Sequence, residues 1–137
     1  MPANLELTDD HWCFGCGEDN PVGLKLEFVE EGDEYVTYFT PKREHQGWRG
    51  VTHGGIVGTL MDEVMARKLH VMGIRSVTGE MWVRFRRPAL VGTRIRFAGR
   101  IESESGRVIS TKGIATDEDG NVIAEATGKI VRVGQDG

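Results

Sequence analysis

The groups in this chain best suited to chemistry are His53-Gly54-Gly55 and, eight residues after the first of these glycines, Asp62. The two glycines open what reads as the only long helix. A glycine-lined helix start leaves backbone N–H groups without partners at the positive end of the macrodipole, a natural place for a developing oxyanion. A carboxylate further along the same helix offers a base or a nucleophile. Together they are the two halves of an acyl-transfer site.

One helix cannot bring both halves to one carbonyl. Eight residues of helix span roughly 12 Å, whereas an oxyanion donor must lie within about 3 Å of the oxygen. Two such helices side by side and antiparallel place the start of one against the middle of the other. A twofold dimer does this twice. If the two groups cooperate, the expectation is a homodimer with composite sites.

The elements that must hold these groups emerge from periodicity. Leu24, Leu26 and Phe28 alternate with Lys25 and Glu27, and Tyr35, Thr37 and Phe39 continue the pattern after Gly32-Asp33. That predicts a hairpin over 24–40, preceded by a leader over 1–22. A polar loop with Gln46, Gly47 and Trp48 leads into a helix over 54–72, with Gly73 as its C-terminal signal. Strands are predicted at 77–86, 93–101, 107–116 and 121–133, with a turn at Asp119-Gly120. One helix in an otherwise antiparallel chain must bury its apolar stripe against a curled sheet, which is an α+β architecture. Val122, Ala124, Ala126, Gly128 and Ile130 share a face of the last strand, and the small ones would admit a helix closely.

The helix has two faces. Ile56, Leu60 and Val64, flanked by Val57, Met61 and Met65, form the core stripe. Gly55, Gly58, Thr59, Asp62 and Ala66 form a small-residue face suited to close approach by a ligand or a second chain. An unpaired buried carboxylate costs several kcal/mol, so plain packing does not favour Asp62 there. Glu63 points about 100° away and has Arg67 four residues on, an ordinary helical pair, so it reads as structural.

The 137 residues suit one domain, 39% apolar and 28% charged. Seventeen basic against twenty-one acidic residues give a formal charge of −4, which argues against nucleic acid as the main partner. The start of the chain has no basic segment followed by an apolar one, and no run approaches membrane-spanning length. A soluble, cytoplasmic protein without a membrane partner is therefore expected. Neither a serine-hydrolase elbow nor a phosphate-binding glycine loop occurs. Cys13 and Cys16 form a single C-x-x-C. A zinc site would need further ligands, with only His11 nearby; a redox pair would normally open a helix; small packed thiols in a tight turn are the favoured reading.

Arg84, Arg86, Arg87, Arg94, Arg96 and Arg100 cluster in this acidic chain. They read either as a solvated strand face or as a grip on phosphates, with Arg84 and Arg86 preferred because simple alternation puts them on the face of Thr78. Trp48 either walls a pocket or anchors its loop.

The pattern Cys13-Phe14-Gly15-Cys16-Gly17, Asn20-Pro21-Val22-Gly23-Leu24, His53-Gly54-Gly55, Asp62-Glu63, Thr78 and Arg87-Pro88 resembles the hotdog-fold acyl-CoA thioesterases. Within the 4-hydroxybenzoyl-CoA thioesterase superfamily it is most similar to the phenylacetyl-CoA-type branch. The resemblance covers nearly the whole chain. It implies a sheet wrapped around one central helix, homodimers that can pair into tetramers, and hydrolysis of an acyl-CoA with no metal and no cofactor. Carried over by position, Gly54 donates its N–H to the thioester oxygen and His53 orients the substrate or the helix entrance. Asp62 is nucleophile or general base, and Thr78 positions water or supports the carboxylate. Gly55, Gln46, Trp48, Arg84 and Arg86 are the expected substrate contacts. Gln46 stands near where the branch often has an asparagine. Two rivals share the fold: a non-catalytic acyl-CoA or lipid-binding module, and an enoyl-CoA hydratase or dehydratase. Fold alone does not separate them.

Overall fold

A computed structural model of the chain describes residues 6–134; the first five residues, which begin the expected leader, and the last three lie outside it. In chain order the elements are β1 (Val29–Glu31), β2 (Glu34–Phe39), a 3-10 turn (Arg43–His45), α1 (Gly54–Val71), β3 (Ser76–Phe85), β4 (Ile95–Ser105), β5 (Val108–Thr116) and β6 (Val122–Arg132). The six strands form one antiparallel sheet in the order β1-β2-β4-β5-β6-β3. The helix lies against it, touching β2 through β6. This is the hotdog architecture that the sequence resemblance implies. No helix among the described residues is long and apolar enough to cross a membrane.

The core forms where the helix stripe meets the sheet. Val57, Leu60, Met61, Val64 and Met65 pack with Ile95, Phe97, Ala115, Ala124 and Ala126. A second cluster of Leu69, Ile109 and Ile130 closes the far end. The helix stops as expected. Gly73 takes a φ of 73°, its N–H donates to the His70 carbonyl, and the Ile74 N–H donates to the Leu69 carbonyl. This paired closure satisfies two orphan carbonyls and needs a residue at ease in the left-handed region.

The small residues of β6 admit the helix, but its tightest contact lies on β4. A Cβ at Gly99 would fall 2.2 Å from the Val64 carbonyl oxygen and 2.7 Å from the Met65 nitrogen. Gly99 pairs with Gly113 on β5, where a Cβ would meet Met61 and Met65 at 3.1 and 3.3 Å. Backbone therefore rests on backbone at Gly99, with no flexible side chain able to yield.

The predicted hairpin starts later than the alternation suggests. Leu26 is buried and Leu24 and Phe28 pack on the core, so the alternation of burial is real. Lys25, however, has a φ of 53°, which breaks the extended run. The Leu24 and Leu26 N–H groups donate to the Phe14 and Gly15 carbonyls of the leader loop. Ordered strand begins only at Val29. Alternating burial is thus achieved by a segment docked on a loop, which periodicity does not distinguish from a strand.

The loop before the helix is held by His45. Its ring packs on Phe39 with centroids 5.0 Å apart, its Nδ1 accepts the Lys42 N–H at 2.9 Å, and its carbonyl accepts the His53 N–H at 2.8 Å. Burial depresses its pKa below the ordinary 6.5, opposed by Glu44 and helped by Lys42.

Gly99→Ala should force helix and sheet apart and lower the unfolding free energy in urea by about 1–3 kcal/mol, the usual range for overpacking. For His45, the unfolded chain binds the proton more readily than the fold does. The stabilisation is therefore complete above about pH 6.5 and is lost as pH falls through the lower folded value. Urea midpoints measured from about pH 8 down to about pH 5 should fall across that window. His45→Asn, which retains a side-chain acceptor but no titratable group, should show a shallower decline.

Candidate active site

The start of α1 is capped by His53, whose Nδ1 accepts the Gly55 N–H at 2.9 Å. The Ile56 and Val57 N–H groups go to the His53 carbonyl at 2.9 and 3.3 Å. Of the first four helical N–H groups, only that of Gly54 finds no acceptor among the described residues. The first turn holds no acidic residue. A Ser, Asp or Asn is the usual cap, and an Asp would set a negative charge where an oxyanion would form. A neutral imidazole does the capping without that charge. With Nδ1 accepting, its proton sits on Nε2, which is left as a donor.

A cavity of about 750 Å³ opens at this helix start. Its apolar lining includes Trp48, Val57 and Phe85, and its polar lining includes His53, Gly54, Arg86 and Arg87. Trp48 is 86% exposed, so it walls the mouth and does not anchor its loop by burial. Gln46 does not line the cavity. Its Oε1 accepts the Gly50 N–H at 3.1 Å, and its backbone bridges to Thr52, so it braces the loop. Gly55, an expected substrate contact, does not line the cavity: its N–H is engaged by His53, and a Cβ there would lie 3.0 Å from His53 Nδ1, so its missing side chain makes room for the capping ring.

Asp62 lies about two turns into the helix, half-buried. The Thr78 hydroxyl on β3 donates to its Oδ1 at 2.6 Å. The two residues that the sequence placed together are in contact. This carboxylate and the Gly54 N–H are nevertheless not brought together within one chain: Asp62 does not line the cavity at the helix start, and the roughly 12 Å of intervening helix stands.

Strand alternation from Thr78 fails, and the reason is local. The register of β3 against β6 shifts between Thr78 and Glu80, so Gly79 sits in a bulge. A bulge adds one residue and reverses the parity of every position after it. Beyond it Met81, Val83 and Phe85 face the helix: Met81 Cε lies 3.7 Å from the Cβ position of Gly58, Val83 packs on the core, and Phe85 lies 3.5 Å from the Cβ position of Gly54. Arg84 and Arg86 therefore lie on the face opposite Thr78, contrary to the simple alternation. Arg84 stacks over Trp82, and Arg86 pairs with Glu125 at 2.8 Å while still edging the cavity. Arg87 also lines the cavity and makes no ion pair among the described residues. Phe85 is thus a lining residue that the sequence reading did not single out, and Arg87, named there in the basic cluster but not preferred, takes the place at the cavity expected of Arg84. Gly79, a glycine inside a strand run, is the signal that could have found them.

Glu63 does not form the expected pair with Arg67. The Arg67 guanidinium sits 4.5 Å above the Phe28 ring, and the Glu63 carboxylate accepts from the Cys13 thiol at 3.7 Å. Burial raises the Glu63 pKa, with the Asp62 charge adding to the rise and the cysteine thiols opposing it. Asp62 and Glu63, adjacent in sequence, serve two separate surroundings.

The thioesterase superfamily profile matches residues 49–124, which include the helix start, Asp62, Thr78 and the cavity-lining arginines. No curated protein matches the chain. Among solved structures, a thioesterase superfamily protein superimposes with a TM-score of 0.82 and 25% identity, over 95% of this chain and 68% of its own. A hypothetical thioesterase from Streptococcus pneumoniae, crystallised with coenzyme A, gives 0.74 and 18%, over 82% of this chain and 88% of its own. The Escherichia coli PaaI protein from the phenylacetic acid degradation operon gives 0.74 and 18%, over 81% of each chain. The profile spans more than half of the chain and the solved structures share its fold, so the chain belongs to the thioesterase superfamily, a family of thioester hydrolases.

Proposed function

We propose that this chain hydrolyses acyl-CoA thioesters at composite sites formed across a twofold homodimer. The observation that carries the reading is the layout of α1: one unpaired N–H at Gly54 and one hydroxyl-held carboxylate at Asp62, on one rod, out of mutual reach. An antiparallel neighbour supplies the missing half to each. Two features support such a neighbour. Among the described residues β3 is an edge strand of the sheet, with no strand paired to one side of its backbone, and it runs beside the Asp62 face through Thr78 and Met81. Exposed edges of this length ordinarily find a partner. Met81 and Phe85 also leave apolar surface exposed along it.

The chemistry comes from these groups. The thioester carbonyl oxygen accepts the Gly54 N–H of one copy, and the helix dipole favours the negative charge that develops there. One such donor contributes about 3–4 kcal/mol. Asp62 of the second copy either takes a proton from a water that attacks the carbonyl carbon and returns it to sulfur as the C–S bond breaks, or attacks the carbon itself. The second route expels CoA as the thiolate and leaves an acyl anhydride that water hydrolyses to the free acid and the regenerated carboxylate, with the thiolate protonated from solvent. The Thr78 hydroxyl fixes Oδ1 of Asp62 and so leaves Oδ2 for the reaction. His53 orients the helix entrance and offers Nε2–H. The CoA phosphates meet the basic rim at Arg86 and Arg87, Trp48 covers the mouth, and Gly55 leaves room for the capping ring of His53. Gln46 acts through the loop it braces, and Arg84 contributes charge from the outer face. The coenzyme A held by the pneumococcal structure and the operon of the PaaI protein support an acyl-CoA of the phenylacetyl type.

Asp62→Asn should lower turnover about 10²–10⁴-fold in a thiol-release assay, the span expected for loss of acid–base catalysis, with the dimer unchanged on sedimentation. Thr78→Val keeps the branched shape and should lose about 10–100-fold, as for a hydrogen bond to a charged group. Undiminished turnover in Asp62→Asn, or full activity in a protein that sediments as a monomer, refutes the composite site. Hydration of an enoyl-CoA without thiol release would move the protein to the hydratase class.

A further inference from the structure

The leader loop and the helix meet at a second cluster of chemically able groups. Cys13, Cys16 and Glu63 bring one sulfur each and a carboxylate oxygen to within 4.8 Å of one another. Both cysteines are free thiols, half-buried. In a tetrahedral zinc site with ordinary bond lengths, sulfur and oxygen ligands stand about 3.5 Å apart and two sulfurs slightly further. The Cys13 sulfur already lies 3.7 Å from one Glu63 oxygen.

The surrounding chain is shaped to this meeting. The Gly17 N–H donates to the Cys13 carbonyl at 2.8 Å, closing the turn that sets both sulfurs on one side. A Cβ at Gly15 would strike the Glu63 side chain at 2.3 Å, so a residue without a side chain is what lets the carboxylate in. No basic side chain forms an ion pair with Glu63 among the described residues. A cavity of about 570 Å³ adjoins the cluster, with Asp10 and His70 also on its wall. Arg67 and Arg75 stand on the same wall but pair with none of the cluster's three groups at ion-pair distance among the described residues.

We infer that Cys13, Cys16 and Glu63 bind one thiophilic divalent cation of the zinc class, which pins the leader loop to α1. Coordination replaces two S–H bonds with two metal–sulfur bonds and releases two protons to solvent. Water from the cavity completes the shell. The site is distinct from the cavity at Gly54, and its failure would leave the thioesterase reading untouched, because metal binding and thiol reactivity are measured without hydrolysis.

The full chain, purified without a metal-affinity tag and kept reduced, is stripped with a chelator and titrated with zinc against a competing chromophoric chelator, then with cobalt. The expected result is one equivalent per chain and a thiolate-to-cobalt charge-transfer band. Both should vanish in the Cys13→Ser/Cys16→Ser double variant, and affinity should fall at least about tenfold in Glu63→Gln, the lower end for loss of metal-site support. In the unaltered protein, zinc should also slow alkylation of both thiols, a measurement that does not depend on any variant folding. Failure to retain metal against the competitor, a cobalt spectrum without the thiolate band, binding undiminished in the double variant, or thiol reactivity indifferent to zinc would each overturn the inference.

Discussion

The resting of the α1 backbone on β4 at Gly99 is the constraint that governs the rest of the arrangement. With the Val64 carbonyl seated where a side chain would otherwise stand, the helix has one height and one rotation over the sheet. That rotation turns Val57, Leu60 and Met61 inward and sets Asp62 beside Thr78. It also aims Glu63 at the leader loop and leaves the first turn at the edge of the cavity. Interiors packed to crystal-like density do not let such a helix roll by a few degrees and recover its contacts.

Within that frame the helix carries its polar groups in three distinct ways. Its start is capped by a neutral ring, so the dipole is not cancelled by a carboxylate. Its middle carries an acid whose orientation is fixed by a neighbouring hydroxyl rather than by a cation. One residue later it carries a second acid, half-buried among thiols, where burial disfavours the ionised form. The contrast between Asp62 and Glu63 comes from 100° of helical rotation and from what the leader places on each side.

Much of this was legible in the sequence, because it rests on local periodicity. The helix, its closure at Gly73, the strands after it, the α+β architecture and the proximity of Asp62 to Thr78 all come from spacing, turn chemistry or the family pattern. What was not legible depends on contacts between distant segments. Lys25 leaves the extended region because the neighbouring Leu24 and Leu26 bond to the leader rather than to a strand. The bulge at Gly79 reverses every later side chain of β3, and a count by twos cannot see it. Glu63 takes thiol neighbours fifty positions away in preference to Arg67, four positions on, because a loop without a side chain at Gly15 makes room for it.

The strand β3 joins two tasks that lie far apart. At one end its Thr78 hydroxyl steers the carboxylate; seven residues on, roughly 23 Å away at the usual rise, its Phe85 ring walls the cavity. A pleated ribbon is stiff along its length and soft across it, and among the described residues this one has strand neighbours on a single side only. A second copy clasping that bare flank would brace the Thr78 end and the Phe85 end in one stroke, so the composite site proposed above would fall idle on dilution before the fold began to melt.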